Sequence, residues 1–120
     1  MNTLANIVIG LIAVLHIWIL VLEMFLWTHP VGRKAFGTTA QIAQDSKVLA
    51  ANQGLYNGFL AAGLLWGLLS GDWPVKVFFT ACVLVAGLYG GMTAKRSILL
   101  IQALPALIAL ALLFAARSSI

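Results

Sequence analysis

The chain has 120 residues, 62% of them hydrophobic and 8% charged, with a mean hydropathy of +1.05; a water-soluble domain carries about a quarter charged residues, so that class is excluded. Seven Lys and Arg against three Asp and Glu give a net charge of +4, but the basic residues fall between apolar blocks, where orientation in a bilayer accounts for them and nucleic acid is not an expected partner. One cysteine, Cys82, excludes an internal disulfide, a CxxC redox pair and a cysteine zinc site.

A bilayer core requires roughly 20 mostly apolar residues in helical form, because every backbone donor and acceptor must be satisfied without water. Residues 4–27 meet this, interrupted only by Glu23. No Lys or Arg precedes this run and no small-residue cleavage pattern ends it, so span one is expected to remain in the mature protein. The connection 28–47 follows, with Thr38-Thr39-Ala40-Gln41 resembling a capping box in which Thr38 caps an exposed N–H and Gln41 reaches back. A short amphipathic helix is expected from there, either lying at the membrane surface or running into span two. Residues 48–71 form the second, uncharged span, and Asp72-Trp73-Pro74 reads as a tight turn because Pro cannot continue the preceding helix. Residues 76–93, with Lys76 at the start, and 98–116 are spans three and four. Trp27 and Trp73 lie at span ends, where the ring anchors at the headgroups.

The expected fold is therefore all-α: a polytopic membrane protein, one four-transmembrane-helix bundle over residues 1–120. Arg33, Lys34, Lys47, Lys95 and Arg96 share one side of such a bundle, against Lys76 and Arg117 on the other. The positive-inside bias puts 28–47 and 93–97 in the cytoplasm and both termini outside.

Polar side chains in hydrocarbon cost on the order of 2–3 kcal/mol or more, so they face the bundle interior and mark sites. In this topology Glu23 lies about one turn from the inner end of span one, with His16 on the same face roughly 10 Å further out. Asn52, Gln53, Tyr56 and Asn57 fall in the inner third of span two, Tyr89 near the inner end of span three and Gln102 in the first turns of span four. The outer half of the bundle carries almost nothing polar. On a helical wheel the polar residues of span two fill one arc, Ala51, Gly54, Gly58, Ala61 and Ala62 a separate arc small enough for close helix contact, and Leu55, Phe59 and Trp66 a bulky face for lipid. The polar arc is expected to point at Glu23 and His16.

A carboxyl held out of water is a candidate proton carrier, an imidazole can exchange protons or hold an acidic ligand, and the amides both donate to and accept from a polar solute. Pro105 leaves the Ile101 carbonyl without its helical donor beside Gln102. The same residues have structural readings: Glu23 as interhelical glue, His16 satisfied by a neighbour, the glycines as helix packing. A metal site needs more ligands than His16, Glu23 and the distant His29 supply, so no metal or cofactor is expected.

The runs Leu15-His16, Leu22-Glu23-Met24-Phe25-Leu26-Trp27 and Ala50-Ala51-Asn52-Gln53-Gly54-Leu55-Tyr56-Asn57-Gly58 resemble the domain-of-unknown-function 1304 family of small bacterial integral membrane proteins, over nearly the whole chain. The resemblance implies four spans in a bacterial inner membrane and carries over no catalytic residue. Small multidrug-resistance pumps are similar in length, span number and a glutamate in span one. Their dual insertion requires nearly balanced basic loops, and they lack the Asn-Gln-Gly-x-Tyr-Asn run, so that likeness is one of function only.

The leading expectation is binding or proton-coupled transport of a small molecule in a cytoplasm-facing pocket of Glu23, Asn52, Gln53 and Asn57, lined by His16, Tyr56, Tyr89 and Gln102. Four helices are few for alternating access, so transport would require a homodimer, with the small arc of span two as its contact. The alternatives are a structural or assembly subunit whose polar cluster fixes helix register, and an intramembrane enzyme on a lipid-like substrate with Glu23 and His16 as an acid–base pair.

Overall fold

Helix is the regular structure taken throughout residues 2–118, the part of the chain that this computed structural model describes. In chain order the elements are α1 (Asn2–Met24), α2 (Pro30–Phe36), α3 (Ala40–Asp45), α4 (Lys47–Ser70), α5 (Trp73–Thr93), a π-helical stretch (Leu99–Ala103) and α6 (Leu104–Ser118). The stretches Thr3–Met24, Trp73–Thr93 and Leu99–Arg117 are long and apolar enough to cross a membrane. That makes three helices of this kind where the sequence pattern predicts four. The expected second span forms as α4 and has the length, 24 residues, but Asn52, Gln53, Asn57 and the interspersed glycines dilute its leucines.

The connection between α1 and α4 holds more structure than its sequence suggested. Pro30 begins α2 with its ring-fixed φ, and Gly37 ends it at φ 67°, the left-handed conformation that glycine adopts without steric cost. The cap of α3 is Thr39 and not Thr38: its Oγ1 accepts from the Ile42 N–H at 3.1 Å. A cap must reach the N–H three positions on, and with Ala40 as first helical residue that geometry selects Thr39. Gln41 does not reach back either; its Nε2 donates to Asp45 Oδ1 one turn ahead, at 2.9 Å. Ser46 then leaves the helical backbone, with φ −103° and ψ 8°, so α3 stops before α4 begins.

Two compact units make up the chain, and α1 and α4 contribute to both. One takes the described residues up to Ala13 and from Ala62 onwards. Its core includes Ile9, Leu64, Thr80, Val83 and the α6 stripe Ala106, Ala109 and Leu113. α5 approaches the π-helical stretch through Gly87, where an added Cβ would stand 2.7 Å from the Ala103 nitrogen. Pro105 has no N–H and its ring crowds the carbonyl a turn earlier, and the chain just before it widens so that the Leu104 N–H reaches Leu99 O, five residues back. Asp72 caps α5, its Oδ1 accepting from Val75 N at 3.1 Å. Trp73 Nε1 donates to Leu113 O at 2.9 Å, its ring meets Phe114 edge-on at 5.0 Å, and the Arg117 guanidinium lies 4.1 Å over it. Trp73 thus joins α5 to α6.

The other unit is Val14–Ala61. Gly54 and Gly58 let α4 come close to α1: an added Cβ would stand 2.6 Å from Met24 Cγ at the first position and 2.6 Å from Leu20 Cδ1 at the second. Trp27 secures the connection, with Nε1 donating to Ser46 Oγ at 3.1 Å and its ring 4.9 Å from that of Phe36.

Candidate functional site

At the α1/α4 seam the close approach allowed by Gly54 carries a polar bond. Glu23, in the last turn of α1, accepts at Oε1 from Asn57 Nδ2 at 2.6 Å, and both side chains are half-buried. Partial burial favours such a bond because each group would otherwise lose water without replacement. His16, on the same face of α1, is fully buried.

The remaining polar residues of α4 point elsewhere. Asn52 and Gln53 are exposed, and Tyr56 is 55% exposed with its ring edge-on to Phe59 at 5.8 Å. With about 100° between successive residues, Gln53 lies about 40°, Tyr56 about 100° and Asn52 about 140° around α4 from Asn57, while Gly54 lies about 60° the other way. Asn57 therefore stands on the border between the glycine face and an open polar arc. Of the two faces that the wheel separates, it is the small one that meets α1.

Tyr89 and Gln102 belong to the other unit. Tyr89 is 72% exposed and lines an apolar groove of about 550 Å³ on α5 with Phe78, Cys82 and Val85. Gln102 is half-buried within the π-helical stretch. At the turn after α5, Lys95 and Arg96 border a mixed cleft of about 430 Å³ with Gly91, Met92 and Leu99.

The sequence reading missed a second polar pair. Lys76, 8% exposed, donates from Nζ to Asn6 Oδ1 at 2.9 Å. Gly67 makes the room, since a Cβ there would stand 3.1 Å from the Lys76 nitrogen. One turn along α5, Thr80 is fully buried and its Oγ1 has no hydrogen-bond partner among the described residues. The signal was available: Lys76 and Thr80 are four positions apart on one helical face, and Gly63 and Gly67 mark a close-contact face on α4. Among the described residues, no three His, Cys, Asp or Glu side chains gather as a metal would need.

Against known proteins, a family model described as protein of unknown function (DUF1304) matches residues 10–114. The chain is also similar to the uncharacterized protein YpaA of Lactococcus lactis subsp. lactis (strain IL1403), 26% identical over 113 residues that cover 90% of this chain and 95% of that relative. No solved structure matches.

Proposed function

The chain belongs to the DUF1304 family, and we propose that it is an integral protein of the bacterial inner membrane that binds a small polar solute, or moves one with protons, at a cytoplasm-facing site centred on Glu23. In this reading α4 is the fourth span, and the basic residues of 28–47 and 93–97 hold those segments in the cytoplasm. The observation that carries it is the 2.6 Å bond from Asn57 to Glu23 at the edge of an open polar arc. An acid partnered by a neutral amide can gain or lose a proton without breaking an ion pair, and the neighbouring amides supply donors and acceptors for a solute.

The test is proton flux in vesicles containing the purified protein, read with an internal pH dye while small polar solutes are screened. Glu23→Gln is expected to abolish solute-dependent flux or binding with helix content unchanged. Flux and binding equal to the native protein's would remove the proposal.

A second reading, an assembly subunit in which the pair only fixes helix register, is supported by the Lys76–Asn6 bond, which ties α1 to α5 with the same chemistry. It expects Asn57→Ala and Glu23→Gln to lower thermal stability alone, with no solute raising it.

A further inference from the structure

We propose that the open arc of α4, formed by Asn52, Gln53 and Tyr56, docks a second copy of this chain, and that the Glu23 site is complete only in that dimer. The proposal rests on the membrane reading above. Apart from Tyr89 on α5 and Arg117 at the end of α6, the large exposed side chains of α1, α5 and α6 are apolar, Leu11, Val14, Phe78, Val85 and Leu107 among them, and suit lipid. α4 exposes apolar side chains as well, Leu49, Phe59 and Trp66 among them, but it adds two adjacent amides beside a phenol, and it is the long helix that falls short in apolarity. An amide facing hydrocarbon without a partner has lost its water without replacement, so this arc requires a cover. The glycine face cannot supply the contact, because Leu20 and Met24 already fill it.

The composition of the arc selects the occupant. Asn and Gln each carry a donor and an acceptor, so two identical arcs related by a two-fold axis set donors opposite acceptors. A charged partner would find no countercharge there. Tyr56, braced by Phe59, provides a stiff aromatic anchor of the kind that concentrates binding energy at interfaces. Because Asn57 borders the arc, a copy seated on Gln53 brings its own amides to the open edge of the Glu23–Asn57 pair.

Two measurements on the full chain in lipid vesicles test this. In a Cys82→Ala background, Tyr56→Cys is expected to form a disulfide-linked dimer under mild oxidation, whereas Phe78→Cys on α5 is not. In a dilution series read by energy transfer between labelled copies, Asn52→Leu with Gln53→Leu and Tyr56→Leu is expected to weaken association about ten-fold or more, since it removes the hydrogen bonds and the aromatic anchor of the contact. A monomeric native protein, which would leave the arc to lipid or to a foreign chain, overturns the proposal, as does cross-linking through Phe78→Cys alone or undiminished association of the leucine variant. Glu23→Gln is expected to stay dimeric. A dimer without proton flux would defeat the transport reading and leave the interface standing, and flux from a monomer would do the reverse.

Discussion

Glu23 and Lys76 carry opposite charges, yet each is held by an asparagine on a neighbouring helix, at 2.6 Å and 2.9 Å. The amide suits both because it offers an acceptor to the ammonium and a donor to the carboxyl. What differs is the surroundings. Lys76 is buried, packed against Gly67 one turn from the buried Thr80, although its asparagine is half-buried like Asn57. Glu23 is half-buried, and its asparagine borders an open row of amides. A buried ammonium held in this way ties helices together, whereas a half-buried acid at the edge of a polar surface can also meet a solute or a proton.

Thermal unfolding in detergent breaks or sharpens that contrast. Asn6→Leu should have the largest effect, about 1.5–3 kcal/mol, because it leaves a buried ammonium without its hydrogen-bond acceptor; a cost no greater than that of its counterpart Asn57→Leu would erase the distinction between the buried ammonium and the half-buried acid. Asn57→Leu should cost about 1–3 kcal/mol, the range for a half-buried group that loses its partner. Smaller still, Glu23→Gln should stay under about 1 kcal/mol, since an amide fills the carboxyl's place and keeps a hydrogen-bonding oxygen. Thr80→Val should be close to neutral or slightly stabilising, because it removes a buried hydroxyl that has no hydrogen-bond partner among the described residues. A loss above about 1 kcal/mol for that variant would mean that the hydroxyl has a role in the surroundings of Lys76.

α1, α5 and α6 were legible in the sequence because unbroken apolar runs of that length have few other solutions. α2 left readable marks, Pro30 at its start and Gly37 at its end, but its short run between them carries no apolar period to draw attention. The wheel of α4 correctly separated small from polar residues, but the expectation that the polar arc points at Glu23 and His16 fails for all of it except Asn57, and the small face meets α1 instead. That choice belongs to packing: two glycines allow a backbone approach that an amide-lined face cannot match, and the approach then brings in Asn57 alone from the polar set. Lys76 reads in sequence as a marker of orientation, since its burial depends on Asn6, 70 residues away in the chain, as well as on Gly67 across the preceding turn. Trp27 reads as a headgroup anchor for the same reason, although its indole closes the connection onto Ser46.

The π-helical stretch has a consequence for how α6 is aimed. One additional residue in a turn resets the rotational phase of everything after it by about 100°, like a vernier moved by one notch. From the last residue of the stretch onwards Ala103, Ala106, Ala109, Leu113 and Ala116 are buried at ordinary helical spacing, while Leu99 at its start sits against Gly91. Deleting a single residue from 99–103 would restore ordinary helical winding and turn a bulkier flank towards Gly87, so the length of this short stretch governs the seating of the whole last helix.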